Sequence, residues 1–118
     1  MDISELEVYR LAEDFVVKIY QESKKYPREE LFGITSQIRR ASLSIPLNIA
    51  EGFGRYHYKD RLQFLYNARG SLVEVKSLLN ICERLQYLKS QETKHLQEDL
   101  TKIHVKLNNY IKATQRRS

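Results

Sequence analysis

Three histidines, one cysteine and a few serines are the side chains here that could do covalent or metal chemistry, and their spacing gives them little to work with. His95 and His104 stand nine residues apart, half a turn out of phase on one helix, so they cannot converge on an ion. His57 is the third histidine. A single cysteine excludes an intrachain disulfide and a cysteine-only zinc site. Cys82 falls on an apolar stripe beside Leu79, where an inert buried thiol is expected. Ser42, Ser44 and Ser71 have no histidine nearby in sequence to act as a base. Gly52-Phe53-Gly54 lacks the Gly-Lys-Ser/Thr of a phosphate loop and reads as a helix stop. No two carboxylates have a spacing that suggests acid–base work. The expectation is a protein with no catalytic residue, no metal, no cofactor and no small-molecule substrate.

The bases are better placed for chemistry of another kind. Arg39, Arg55, Lys59, Arg61 and Arg69 gather around one predicted turn, and Tyr56 and Tyr58 interleave with them. Aromatic rings beside cations suit unpaired RNA, which offers phosphates to pair and bases to stack. Lys102, Lys106 and Arg116 share the outer face of a later helix, with Arg117 behind them. No RNP string, GXXG loop or zinc finger accompanies them. The alternative is that these charges serve solubility or subunit pairing.

Two polar stripes also call for an explanation. Arg40, Ser44, Asn48 and Glu51 step by four, four and three, so they share one helix face, and Asn67, Ser71 and Glu74 do the same further on. Facing each other across two antiparallel helices, they would form a buried network fixing register, or else a polar pocket for a ligand. Arg40 is expected to pair with Glu74, supported by Asn48 and Ser71, with Glu51 as the alternative partner.

The elements that position these groups are four helical segments. Val8, Leu11, Ala12, Phe15 and Ile19 form a stripe over about 4–25, which Tyr26-Pro27 closes. Ile34, Ile38, Ala41, Ile45 and Ile49 form the second, from about 34 to 52, with Thr35 or Ser36 as a possible cap. Pro46 lies inside it and orphans the Ser42 carbonyl, so this segment is a kinked helix or two short ones. The in-phase apolar spacing favours one helix, with Ser42 and Ser44 hydroxyls serving the disturbed turn. The third, about 58–88, carries Leu65, Ala68, Leu72, Val75, Leu79 and Cys82 as a bundle seam. After a turn near Lys89, Ser90 caps a fourth with Leu96, Leu100, Ile103, Leu107 and Ile111. One antiparallel up-down four-helix bundle, spanning the single domain 1–118, fits this pattern.

Composition agrees. Length 118, with 4 Gly, 2 Pro and no Trp, suits one all-α domain better than a turn-rich sandwich. No apolar run approaches the ~18 residues of a membrane span, and the acidic start Met1-Asp2-Ile3-Ser4-Glu5 does not read as a signal peptide. A cytoplasmic protein with no membrane partner is expected. The net charge of +5 is uneven: residues 1–30 hold eight acids against five bases, and residues 62–118 hold ten bases against five acids. Such ends can pair with each other, between subunits or with a polyanion. Leu43, Leu47, Ile81, Leu85 and Leu88 fall off the main seams, and a lone bundle exposing them would carry an unusually large apolar patch.

The stretch Gln37-Ile38-Arg39-Arg40-Ala41-Ser42-Leu43-Ser44-Ile45-Pro46-Leu47-Asn48-Ile49-Ala50-Glu51-Gly52-Phe53-Gly54-Arg55 and the string Ala68-Arg69-Gly70-Ser71-Leu72-Val73-Glu74 resemble a bacterial four-helix-bundle family, the proteins of 23S rRNA intervening sequences. The resemblance covers nearly the whole chain. It implies an up-down bundle, a ring-like homopentamer and no known catalytic activity. A more distant likeness is to the accessory variability protein of diversity-generating retroelements, a basic pentamer that works with a reverse transcriptase and nucleic acid. Together these set the expectation of a homo-oligomer that meets RNA or a nucleoprotein, with a protein-only scaffold as the alternative.

Overall fold

The apolar stripes each become one face of a helix. The computed structural model describes residues 1–118: a 3-10 turn at Ile3–Glu5, α1 (Glu7–Ser23), a second 3-10 turn at Arg28–Glu30, α2 (Ile34–Phe53), α3 (Tyr58–Arg84) and α4 (Ser90–Arg117). There are no strands. Cross-contacts fix the topology. Ser23 meets Arg39, Gln37 meets Glu74, Arg69 meets Asn108, and Lys18 meets Asp99. Each neighbouring pair is therefore antiparallel, and α1 closes against α4 to complete an up-down ring of four helices.

One core of 22 residues fills the ring. It includes every member of the α3 seam from Leu65 to Cys82, all five of the α4 stripe, and Val8, Ala12, Phe15 and Ile19 of α1. Leu11 and Ile34 pack against its edge. No helix is long and apolar enough to cross a membrane.

Several local expectations are corrected. Helix α2 runs unbroken through the buried Pro46, but no serine hydroxyl serves the turn. Ser42 Oγ is buried without a partner, and it is Asn48 Nδ2 that donates to the Ser44 carbonyl, at 2.8 Å. A buried hydroxyl with no partner is a net loss of ~1–3 kcal/mol. Ser42→Ala should therefore raise stability by about 1 kcal/mol, visible as a higher urea midpoint at unchanged slope; a lower midpoint would reveal a hydrogen bond at Ser42.

Helix α3 ends at Arg84, four residues early. Gln86 takes the left-handed conformation (φ 67°), its N–H bonds the Glu83 carbonyl, and the Tyr87 N–H reaches back to Cys82. This is a Schellman stop, built on glutamine where glycine would fit without strain. The reversal turns Leu88 into the core, so it adds nothing to the exposed apolar surface. Two caps also differ. Gly33 precedes α2, and neither Thr35 nor Ser36 caps it; Glu30 Oε1 instead accepts the Ile34 N–H. At α4 the cap position is Lys89, whose N–H donates to Glu92 Oε1 at 2.8 Å. Lysine has no acceptor to return that bond, so only half of a capping box forms. Ser90 Oγ instead donates to Glu83.

Candidate nucleic-acid interface

The predicted basic–aromatic group is assembled by the short connection between α2 and α3. Gly52 allows the two helices to meet: a Cβ there would lie 3.0 Å from the Arg61 carbonyl and 3.3 Å from Phe64 Cβ. The chain leaves α2 at Gly54 and re-enters at Tyr58, and Arg61 holds the loop by donating from Nε to the Arg55 carbonyl at 2.6 Å. Its guanidinium lies over the Tyr58 ring, 4.9 Å from the centroid. Arg55 lies over Phe64 at 4.7 Å and pairs with Glu51 at 3.3 Å on the surface. Tyr56 is 87% exposed, edge-on to His57. Lys59 is exposed and has no ion-pair partner.

The last turn of α4, with Arg116 and Arg117, reaches the same end of the bundle. Gln115 in that turn donates to the Tyr66 hydroxyl at 3.0 Å, which ties it to the start of α3. The structure therefore groups Arg55, Tyr56, Tyr58, Lys59 and Arg61, and places Arg116 at the same end of the bundle.

Four other predicted bases lie apart. Arg39 is at the α1–α2 contact, where Nε donates to Ser23 Oγ at 2.7 Å and the guanidinium covers Tyr20 at 4.9 Å. Arg69 ties α3 to α4 through Asn108 Oδ1 at 3.0 Å. Lys106 pairs with Glu7 at 2.8 Å, which holds the Glu7 carboxyl below its usual range. Lys102 borders a groove beside Asp14 and Asp99.

The buried polar network does not form. Arg40 is exposed and makes no contact with Glu74, which is also exposed and accepts from Gln37 Nε2 at 2.7 Å. Asn48 bonds within its own helix, Glu51 faces solvent with Arg55, and Asn67 takes only a long bond from Gln63. Ser44 and Ser71 are half-buried, with no side-chain bond between the helices. The cause is angular: Arg40, Asn48, Glu51, Asn67 and Glu74 each lie two residues beyond an apolar one, about 200° around the helix. Once Ile38 and Ile49 point inward, Arg40 and Glu51 turn outward.

Nothing in the site resembles a metal centre: no three His, Cys, Asp or Glu side chains cluster. His104 is held neutral-leaning by partial burial and then by Lys76 and Arg69. Burial pushes the Cys82 thiol up, away from its reactive form.

A family model described as 23S rRNA-intervening sequence protein matches residues 4–109 of this bundle. The chain belongs to that family. Among solved structures, this member of the 23S rRNA-intervening sequence family is similar to a protein of unknown function from the S23 ribosomal protein family of Bacteroides thetaiotaomicron VPI-5482. The two are 26% identical with a TM-score of 0.83, over 89% of this chain and 95% of that one. No curated protein matches it.

One exposed feature of this family member escaped the periodicity argument. Phe32 is 94% exposed and borders a shallow groove with Tyr20, Leu31, Arg39, Arg40 and Leu43. It sits in the α1–α2 connection, off any helical stripe. The available signal was an apolar Leu31-Phe32 pair between Pro27 and Gly33, where a loop is ordinarily polar.

Proposed function

We propose that the protein is a non-enzymatic, homo-oligomeric bundle that presents a basic surface to RNA or a nucleoprotein. The observation that carries this reading is the grouping of Arg55, Tyr56, Tyr58, Lys59 and Arg61 at one end of the bundle, with Tyr56 almost wholly in solvent. Cations supply the attraction to phosphate, and the exposed ring supplies a stacking platform that accepts any unpaired base. The family's description points to a place in the 23S rRNA gene and adds no chemistry.

Self-association rests on a second observation. Leu43, Leu47, Ile81 and Leu85 are exposed, as expected, and Phe32 adds a full aromatic ring to the side carrying Leu43. A second copy would cover this apolar surface. Five subunits is the number that the family resemblance implies. Repeating the basic end around a ring makes weak single contacts multivalent. A protein-only scaffold is the rival reading, and the same apolar surface would serve it.

The test compares binding to single- and double-stranded RNA from low to physiological salt, for the wild type and an Arg55/Lys59/Arg61 triple-alanine variant. Each lost phosphate contact should lower the salt slope by about one unit, so the variant should lose about three at most. Preference for single strands would follow from Tyr56. Equal binding by both proteins would remove the turn from the interface. No binding by the wild type at low salt would leave the scaffold reading, and light scattering at 14.0 kDa would remove self-association.

A further inference from the structure

Of the bases at the α2–α3 turn, Arg61 is the one whose side chain bonds the backbone of the loop itself. Its Nε donates to the Arg55 carbonyl at 2.6 Å while its guanidinium covers the Tyr58 ring. It is half-buried, where Arg55 and Lys59 are exposed. The carbonyl it holds belongs to the peptide that joins Arg55 to Tyr56. A short bond from a charged donor fixes that peptide plane, and with it the direction in which the Tyr56 side chain leaves the loop.

The same residue fastens the other flank. The Arg61 backbone N–H donates to the His57 carbonyl at 3.1 Å, just beyond Tyr56. The N–H groups of Tyr56 and His57 themselves bond no protein acceptor. Restraint on the tip of the loop therefore comes from Arg61 on both sides. Tyr58 is the seat of this clasp: its ring is half-buried, and one face lies under the guanidinium. That leaves Tyr56, almost wholly in solvent, as the ring free to stack.

We infer that Arg61 is a positioning residue, which holds Tyr56 out as a platform for an unpaired base and so sets a preference for single over double strands. The inference rests on the RNA reading above and divides the work within that site. Arg55 and Lys59 meet phosphate, Tyr56 meets the base, and Arg61 acts through Tyr56. A platform fixed before binding loses less conformational freedom when a base settles on it. A duplex keeps its bases stacked on one another, so it gains nothing from the platform.

The full-length protein is titrated at low salt with a single-stranded oligouridylate and with an RNA duplex, each variant being compared with the wild type on the same RNA. Arg61→Lys keeps the charge, but one ammonium cannot both hold the carbonyl and lie flat on Tyr58. It should weaken single-strand binding by roughly fivefold or more, the scale of one stacked base, and duplex binding by less than about twofold. Lys59→Arg keeps a cation at a contact made by charge, and should change neither by more than about twofold. In a Tyr56→Ala background, Arg61→Lys should add less than about twofold, since both changes remove the same platform. The clasp lies at the surface, so Arg61→Lys should stay folded and melt within about 5 °C of the wild type. Losses equal on the two RNAs, or adding in full to that of Tyr56→Ala, would make Arg61 a direct phosphate contact and overturn the inference while the RNA reading stands. An Arg61→Lys protein that loses no affinity, or that fails to fold, overturns it as well. A wild type that binds neither RNA removes the RNA reading itself.

Discussion

Replacing Arg39 by alanine should lower stability by about 2–3 kcal/mol, while the same change at its neighbour Arg40 should stay within about 0.5 kcal/mol. Arg39 makes a charged hydrogen bond of 2.7 Å to the buried Ser23 and covers Tyr20, so it joins α1 to α2. A bond to a charged group contributes ~1.5–3 kcal/mol, and a partly exposed cation–π contact adds ~0.5–1. Arg40 has no side-chain partner and faces solvent. Lysine at 39 should restore only part of the loss, because one ammonium cannot both bond Ser23 and lie flat on the ring. Urea unfolding of Arg39→Ala, Arg39→Lys and Arg40→Ala checks the ordering. Equal costs at 39 and 40 would mean that Arg39 does not hold the corner.

A second large effect is expected at Gly52. Its missing side chain is what lets α2 approach the first turn of α3, with the Arg61 carbonyl 3.0 Å from where a Cβ would stand and Leu65 Cδ2 at 3.5 Å. Backbone cannot swing aside as a flexible side chain can. Valine should therefore cost about 1–3 kcal/mol through overpacking, a fall in melting temperature of roughly 4 °C per kcal/mol. Alanine pushes one carbon into the same gap but gains ~1 kcal/mol of helix propensity over glycine, so it should lose much less. Thermal unfolding of the two variants separates these terms. A Gly52→Val protein as stable as the wild type would show that the crossing is looser than 3.0 Å implies.

Most of the architecture was legible because a bundle needs little beyond period and punctuation. The α3 seam from Leu65 to Cys82 and the α4 stripe from Leu96 to Ile111 are buried at every expected position. Pro46 did not mislead, since the apolar phase crosses it unchanged. The end of α3 was missed because Gln86 is not a residue that announces a left-handed stop. The polar stripe was misplaced for a reason that the same periodicity contains: Arg40 and Glu51 lie opposite the isoleucines that had already claimed the interior.

The candidate interface was legible only where its members are neighbours in the chain. Arg55 to Arg61 stay together because one loop carries them. Arg39 and Arg69 looked equally free, and what engages them is the register between helices: Ser23 stands beside Arg39, and Asn108 beside Arg69, only once the bundle is assembled. No spacing within one segment encodes that. Thr35 likewise reads as a helix cap, but its buried hydroxyl caps nothing.

The seam between α1 and α4 gives the molecule an order of events. Three of the four helix contacts join segments consecutive in the chain, which closes only short loops and suits assembly in microseconds to milliseconds. The fourth joins residues far apart in sequence, Lys18 and Asp99 being 81 positions apart, and the entropy of closing that circuit is met last. Exposed ion pairs stitch it: Lys18 to Asp99, Lys25 to Glu92 and Lys106 to Glu7. Such pairs each contribute little and are weakened by salt. The seam between the first and fourth helices is thus the last to close and the part most weakened by salt.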